Sequence, residues 1–254
     1  LLYREPVVIA ARPSNLKTTL CADRALYWVT HGIKVQIFSL EIPSDMYLNK
    51  ILSQYSNINF SAFLHNTFTK DQFEHFNKIC TDFKEAFTPS LSILDAMDGV
   101  THTQNIERAV RMFKPDIFIV DHIGCLSYGN PHHRRLEVGD AVKFFKWLGI
   151  ETNSIPIIVS QISRQAETRG EGPAFPSLND LKETSELEEL ATLVFLLYYP
   201  YRYTSLHEDK FKLRIELAKN RYGPVGVLTV HYNPEICKLR DTNSEAFTEE
   251  GNPS

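Results

Sequence analysis

A lysine and two threonines stand at the start of the first predicted helix, after a short apolar strand (residues 7–10) and a loop. A phosphate-binding loop needs backbone N–H groups around the phosphates, an ammonium group to neutralise them and a hydroxyl for Mg²⁺. Lys17 and Thr18 meet the last two needs, whereas Ala11 and Leu16 occupy the positions of the two usual glycines. Taken alone, the segment is equally compatible with a surface loop before an amphipathic helix.

Three polar side chains follow the ends of other apolar runs. Glu41 comes after the second predicted strand, Asp121 closes a buried run, and Gln161 follows the next one. Because the carboxyl ends of parallel strands face the ligand crevice of an α/β sheet, these side chains are expected to meet there. A glutamate can polarise a water for attack on a γ-phosphate, and an aspartate can reach Mg²⁺. The amide can sense the γ-phosphate, although each residue alone also fits ordinary turn or helix-start chemistry.

Two further segments, a turn with two cations and a cluster of tyrosines, each have two possible functions. Lys219 and Arg221 lie on a turn with Gly223 and Pro224, which is either a hairpin with solvated cations or a turn that delivers an arginine finger to a neighbouring subunit's nucleotide. Four tyrosines lie close together after an apolar run. They either stack on a base or pack at a subunit edge. These tyrosines are Tyr198, Tyr199, Tyr201 and Tyr203.

The elements that must position these residues alternate between apolar runs and helical patterns. This alternation predicts a mostly parallel sheet flanked by helices. The predicted strands are 7–10, 34–39, 91–94, 116–121, 155–160, 193–198, 211–218 and 225–232. The predicted helices are 17–30, one from Ser44, 71–83, 101–113 and 135–148. The last three strands are expected to pair antiparallel at one sheet edge, and residues 163–180 are expected to form a long loop.

Composition excludes several classes of protein. The chain has 254 residues, of which 43% are hydrophobic and 23% charged, which is enough for a sizeable core. Its net charge of −4 offers no overall attraction for nucleic acid. The four cysteines form no CxxC pair, so neither a zinc site nor a disulfide framework is indicated. No apolar run reaches the roughly 18 residues of a membrane span. The chain lacks both an initiator methionine and the apolar region of a signal peptide, so we expect a fragment of a longer protein.

Six segments in a fixed order resemble the C-terminal, RecA-like ATPase domain of DnaB-type replicative helicases, including phage versions. The resemblance covers roughly residues 5–235. The segments are 11–19, Ser39-Leu40-Glu41, Ile119-Val120-Asp121-His122, Ser160-Gln161-Ile162-Ser163-Arg164, 180–188 and 218–226. In that order they resemble the P-loop, the catalytic-glutamate motif, the Walker B strand, the glutamine motif, a DNA-gripping channel loop and a trans-acting finger turn.

The resemblance implies a RecA-like P-loop NTPase that uses ATP and Mg²⁺. The implied nucleotide contacts are Ala11, Arg12, Pro13, Ser14, Asn15, Leu16, Lys17, Thr18 and Thr19. The implied Mg²⁺ ligands are Thr18 and Asp121. The implied catalytic residues are Lys17, Glu41 and Gln161, joined by Lys219 and Arg221 of the next subunit. The implied DNA contacts are Arg164, Lys182, Glu183 and Ser185, with Arg169, Arg134 and Arg135 as weaker candidates.

The function implied by the resemblance is a replicative helicase motor. ATP hydrolysis at the subunit interfaces of a hexameric ring would drive 5′→3′ movement on single-stranded DNA and unwind the duplex. Primase and a helicase loader are the implied partners, and no membrane is involved. The implied location is the cytoplasm of a bacterial or phage-infected cell. Residues 1–240 are expected to form the ATPase domain and 241–254 a disordered polar tail, with the family's N-terminal helical domain absent from this chain.

The chain departs from the family pattern at four positions. Leu16 and Ser185 replace glycines, Lys182 replaces an arginine, and Asn220 replaces a glutamine. Two alternatives therefore stay open at this point: a RecA-like recombinase or clock-type ATPase with the same core chemistry, and a nucleotide-inactive ring subunit that only binds DNA or partner subunits. The channel segment and the finger turn speak against the first alternative, and the presence of Glu41 with the other site residues speaks against the second.

Overall fold

A computed structural model describes residues 4–127, 134–163, 175–181 and 185–241. Nine strands form one sheet in the order β3-β2-β4-β5-β1-β6-β7-β8-β9. The strands are β1 Val7–Ala11, β2 Val35–Ser39, β3 Leu91–Asp95, β4 Ile117–Asp121, β5 Ile155–Gln161, β6 Leu193–Tyr198, β7 Lys212–Asn220, β8 Gly226–Asn233 and β9 Lys238–Asp241. The strands from β3 to β6 in this order pair in parallel, and β7, β8 and β9 continue the sheet antiparallel. This arrangement confirms the predicted mostly parallel sheet with antiparallel strands at one edge.

Helices cover both faces of the sheet. They are α1 Lys17–Thr30, α2 Ser44–Ser56, α3 Phe60–His65, α4 Lys70–Phe87, α5 Thr103–Phe113, α6 Arg134–Thr152, α7 Ser185–Leu190 and α8 Tyr201–Thr204. Successive residues of β1 enter opposite cores, because side chains alternate along a strand. Val8 and Ala10 join the core beneath α5 and α6, whereas Ile9 joins the core beneath α1 and α2. The central strands are therefore mostly apolar, which is why the sequence pattern indicated them.

Four elements, α3, α7, α8 and β9, were not predicted, and two of them show the reason. The edge strand β9 contributes one apolar side chain, Leu239, to the core, and its backbone N–H donates to the Asp23 carboxylate at 3.1 Å. The short helix α3 begins after Asn59, whose side chain accepts from the Ser61 N–H, and the Phe60 N–H donates to the Glu235 carbonyl. Both elements depend on partners far away along the chain, so local patterning carries no signal for them.

Asp241, the first residue of the predicted tail 241–254, is the last residue of β9, and the rest of that tail lies outside the described residues. Most of the predicted loop 163–180 lies outside them too, apart from a 3₁₀ turn at Leu178–Asp180 and the residues beside it. Within the described residues, no helix has both the length and the apolar character that crossing a membrane requires.

Candidate nucleotide-binding site

The predicted site residues converge because of the order of the strands. β5 lies between β1 and β4, and β2 lies on the other side of β4, all in parallel. Ala11 is in register with Gln161, and Ser39 is in register with Asp121. The loop after β1, the residues after β2 and the ends of β4 and β5 therefore share the carboxyl edge of the sheet. This edge is where open α/β sheets bind ligands.

The loop between β1 and α1 has an unusual backbone for its sequence. Ser14 has a φ of 61°, and Leu16, the residue before α1, has a φ of 63° and a ψ of 21°. A residue with a Cβ pays about 1–2 kcal/mol for this left-handed region, which glycine enters freely. Leu16 therefore adopts a backbone conformation that the family's glycine would also adopt readily. Leucine in place of glycine at position 16 therefore carries a conformational cost, but α1 still begins at Lys17.

Lys17 and Asp121 form the buried centre of the site. Lys17 is 6% exposed, and its Nζ donates to the carbonyls of Ala11 and Arg12 at 3.3 and 3.2 Å. Burial lowers the pKa of Lys17, and the charges of Asp121 and Glu41 oppose that shift. The Lys17 ammonium group donates to these loop carbonyls, and it could donate to phosphate oxygens in their place.

The environment of the Asp121 carboxylate indicates a site for a cation. Both of its oxygens are buried and, within the described part of the chain, accept no hydrogen bond of good geometry. Burial raises the pKa of Asp121 to about 6, while the nearby Thr18 hydroxyl and the Lys17 ammonium oppose that shift. The Thr18 hydroxyl and the Lys17 ammonium compensate this buried carboxylate only in part, and a bound cation would compensate it further. A carboxylate and a hydroxyl are oxygen donors that suit Mg²⁺, so these two residues fit that ion.

The rest of the donor set also fits magnesium better than a transition metal. The described residues hold no group of three or more His, Cys, Asp or Glu side chains that could bind a metal ion. Mg²⁺ keeps several waters and usually takes one or two carboxylates together with substrate phosphate oxygens. A site with one buried carboxylate beside a phosphate-binding loop is of that kind.

Glu41 and Gln161 are joined by a residue to which the sequence analysis gave no role, His122. The backbone N–H groups of Leu40 and Glu41 donate to the Asp121 carbonyl at 2.6 and 3.3 Å, which ties the end of β2 to the end of β4. One Glu41 carboxylate oxygen lies 3.6 Å from His122 Nε2, and the Gln161 amide nitrogen lies 2.9 Å from the same atom. The sequence feature that could have identified His122 is its position directly after Asp121, at the carboxyl end of β4.

The predicted DNA contacts are mostly outside the described residues. This applies to Arg164, Lys182 and Glu183, and the side chain of Ser185 is not described although Ser185 begins α7. The weaker candidates Arg134, Arg135 and Arg169 are likewise not described at the level of side chains. The start of the channel segment is described: the Ser163 N–H donates to the Asp180 carbonyl at 3.3 Å. The glutamine motif and the start of the predicted channel loop are therefore in direct contact.

Lys219 and Arg221 do not join the other site residues within one chain. β7 runs antiparallel to β6, and Asn220 pairs with Leu193 at the start of β6. A strand rises about 3.3 Å per residue, so the length of β6 separates this turn from the carboxyl edge by roughly 20 Å. If these cations contact a nucleotide, it belongs to another copy of the chain.

The two cations instead hold the end of α7. Lys219 Nζ donates to the carbonyls of Glu188 and Glu189 at 2.5 and 3.3 Å, and Arg221 donates to the Glu189 carbonyl at 3.3 Å. Arg221 also lies 3.7 Å from the Glu5 carboxylate. Cations at the C-terminal carbonyls of a helix are stabilising. The turn that carries Lys219 and Arg221 is thus docked on the C-terminal end of α7.

The tyrosine-rich segment packs within the chain. The rings of Tyr198 and Tyr203 are stacked, with centroids 5.0 Å apart. Tyr199 meets Tyr232 edge to face, and its hydroxyl donates to the Lys210 carbonyl at 2.9 Å. These intramolecular contacts account for three members of the cluster, and the ring of Tyr201 lies 6.0 Å from that of Tyr199.

The sheet order, the loop before α1 and the strand-end carboxylates together define a RecA-like P-loop nucleotide-binding domain. Comparison with protein-family models identifies the family within this class of domains. The model of the DnaB-like helicase C terminal domain matches residues 3–241, and the chain belongs to that family.

Individual relatives agree with this family. The chain is 26% identical over 242 residues to the replicative DNA helicase DnaB of Haemophilus influenzae, covering 92% of this chain and 50% of that protein. Two solved structures, one titled as an ATPase domain and one as a DnaB-like replicative helicase with its interactions with primase, each align with a TM-score of 0.81 at 24% identity. They cover 93% of this chain and 84% and 57% of their own chains, and they show that the fold is shared. The chain spans about half the length of the curated relatives it matches.

Proposed function

We propose that this chain is the ATP-hydrolysing motor domain of a replicative DNA helicase. One observation carries the proposal: the buried Asp121 carboxylate, which accepts no well-formed hydrogen bond from the residues that the structure describes, lies beside Lys17 and Thr18 at the carboxyl edge of the sheet. Such a carboxylate is costly in a folded chain unless the site regularly holds a cation. The family membership makes Mg²⁺ with ATP the best-supported occupant.

Each residue has a distinct task in this proposal. The loop amides of 11–19 and the Lys17 ammonium bind the β- and γ-phosphates. Thr18 and Asp121 hold Mg²⁺, which neutralises charge on the phosphates when bound. Glu41 is 42% exposed, which leaves its carboxylate free to orient a water toward the γ-phosphate. The Gln161 amide lies 2.9 Å from His122, and two residues further on the Ser163 N–H donates to the Asp180 carbonyl at the start of the predicted channel loop.

Assembly is the second part of the proposal. Because Lys219 and Arg221 lie at the far edge of their own sheet, they are proposed to act on the nucleotide of an adjacent subunit in a hexameric ring. Hydrolysis at successive interfaces would then move the channel loops along single-stranded DNA in the 5′→3′ direction. Arg164, Lys182, Glu183 and Ser185 are the proposed contacts to the DNA backbone, which makes binding salt-dependent and largely blind to sequence.

The remaining parts rest on the family. Primase and a helicase loader are the proposed partners, and the cytoplasm of a bacterial or phage-infected cell is the proposed location. We also propose that residues 1–240 form the ATPase domain, with 241–254 as a polar tail and the family's N-terminal helical domain outside this chain.

The first experiment is ATP hydrolysis by this chain with and without single-stranded DNA, at a concentration where it assembles. Lys17→Ala should abolish the DNA-stimulated turnover, because it removes the phosphate-binding ammonium. Glu41→Gln should keep ATP binding and lose turnover by about 100-fold or more. Glu235→Gln, which changes an exposed glutamate, is the matched control.

The outcomes separate the competing functions. DNA-stimulated turnover that depends on Lys17 and Glu41 supports the motor. ATP hydrolysis that promotes strand pairing without duplex unwinding would point to a recombinase. If the parental chain binds DNA but neither binds nor hydrolyses ATP, also when tested within the longer protein, the nucleotide-inactive ring subunit replaces the motor.

A further inference from the structure

A buried asparagine lies in the middle of the phosphate-binding loop. Asn15 is 1% exposed, and its side chain bonds to three partners. Its Nδ2 donates to the Pro13 carbonyl and to the Tyr203 hydroxyl, each at 3.2 Å. Its Oδ1 accepts from the Tyr199 N–H at 2.8 Å. One side chain therefore fastens the loop to the segment from Tyr199 to Tyr203, which follows β6 and includes most of α8.

That segment is a firm anchor. Tyr203 stacks on Tyr198 with ring planes 5° apart, and Tyr198 is the last residue of β6. β6 pairs directly with β1, the strand that leads into the loop. The anchor and the loop thus sit on two neighbouring central strands, so a bond between them restrains the loop relative to the sheet itself.

The residues on either side of Asn15 both have positive φ. Ser14 and Leu16 have φ values of 61° and 63°, in a region that residues with a Cβ leave readily. A loop that binds phosphate must hold its N–H groups convergent before the ligand arrives. Glycine would allow this conformation without strain, but Leu16 does not, so another restraint has to hold the backbone there.

We propose that Asn15 is a positioning residue that clamps the P-loop in its phosphate-binding shape and takes over the task of the glycine that Leu16 replaces. Tyr203 and the backbone of Tyr199 are the fixed end of the clamp. The clamp's side chain acts through the loop backbone and does not itself touch the nucleotide. This inference rests on the proposed ATP binding of the same loop.

A double-mutant cycle on the 254-residue chain tests the link between Asn15 and Leu16. The probe is a fluorescent ATP analogue with Mg²⁺, titrated to obtain Kd. Asn15→Ala should raise Kd by about 10-fold, because the loop must then be ordered at the expense of binding. In the Leu16→Gly background the same substitution should raise Kd by less than about 3-fold, because glycine enters the left-handed region without the strain that the clamp must oppose at Leu16. An equal loss in both backgrounds would overturn the proposal.

A more conservative substitution tests the same contact without the risk that the Asn15→Ala chain misfolds. Tyr203→Phe removes one hydroxyl, keeps the ring stack on Tyr198 and should raise Kd by about 3- to 5-fold without lowering Tm appreciably. Tyr201→Phe, on the same short helix, removes a hydroxyl that makes no hydrogen bond to residues 11–18 of the described chain and should leave Kd unchanged. A Kd for Tyr203→Phe equal to that of the parental chain would contradict the clamp.

A second readout separates this inference from the proposed function. Amide hydrogen exchange of residues 12–16 is measured on the nucleotide-free chain. Asn15→Ala and Tyr203→Phe should each speed exchange there several-fold, while exchange in β4 stays the same. If neither the parental chain nor the longer protein binds the probe, the proposed function fails, and the exchange rates still decide the clamp. Unchanged rates in both variants would overturn it.

Discussion

The side-chain amide nitrogen of Gln161 lies 2.9 Å from Nε2 of His122. The same imidazole nitrogen lies 3.6 Å from the Glu41 carboxylate, and the other ring nitrogen accepts from the Gly124 N–H at 3.1 Å. The ring is 8% exposed and so held in one orientation. One imidazole therefore connects the predicted water-activating group with the predicted γ-phosphate sensor.

Replacing His122 should uncouple these two groups. We expect His122→Ala to lower the ATP turnover number by about 10- to 100-fold, because Glu41 and Gln161 lose their shared partner. The Kd for ATP should change by less than about 3-fold, since the phosphate-binding loop is untouched. Steady-state kinetics and a binding titration on the same preparations measure both quantities.

The control for this substitution is His102→Ala, which removes an exposed histidine at the start of α5. It should leave the turnover number at the parental value. A His122→Ala chain with parental turnover and parental DNA stimulation would show that the bridge has no part in the reaction.

Asp121→Asn should make the nucleotide-free chain more stable and less active. Burial raises the pKa of Asp121 from 3.8 to about 6, so the folded state binds this proton more tightly than the unfolded state does. The contribution of Asp121 to the free energy of unfolding is therefore fully present below about pH 4. It is lost as the pH rises through about 6, and the free energy of unfolding falls by at most about 3 kcal/mol. The amide has no charge to bury and escapes this loss.

Urea unfolding in EDTA measures the effect. The Asn variant should exceed the parental chain in free energy of unfolding by about 1–3 kcal/mol at pH 7.5 and by much less near pH 4.5. Asp82→Asn, at an exposed position of α4, should show no such difference. An Asp121→Asn chain that is less stable than its parent at pH 7.5 would mean that the carboxylate is compensated within the protein.

Mixing two inactive chains tests whether Arg221 works on a neighbour. Lys17→Ala and Arg221→Ala should each lack DNA-stimulated turnover as single species. In an equal mixture, about one quarter of randomly formed interfaces would combine an intact Lys17 with an intact Arg221, so about a quarter of parental turnover should return. Released phosphate is the readout.

A second mixture controls for this experiment. Lys17→Ala and Asp121→Asn damage the same side of the interface, so their mixture should recover no turnover. An Arg221→Ala chain that hydrolyses ATP at the parental rate when alone would remove Arg221 from the reaction.

Much of the fold was predictable because its central strands are buried on both faces. Continuous apolar runs such as that of β4 are typical of parallel sheets, and a polar residue at their end marks the crevice edge. The edge strand β9 and the helix α3 were missed because their stability comes from distant partners such as Asp23 and Glu235. The same reasoning explains His122, whose role depends on two residues from other strands.

The succession of strands and helices and the residue types of the candidate site can be predicted from local patterning and from the polar residues at strand ends. Which of these groups meet depends on the three-dimensional arrangement of the strands. It brought Glu41, His122 and Gln161 together, placed Arg221 at the far edge of its own sheet, and fastened Asn15 to Tyr203. Strand order and register are set by packing over long sequence separations, and one sequence read along its length carries no record of that pairing.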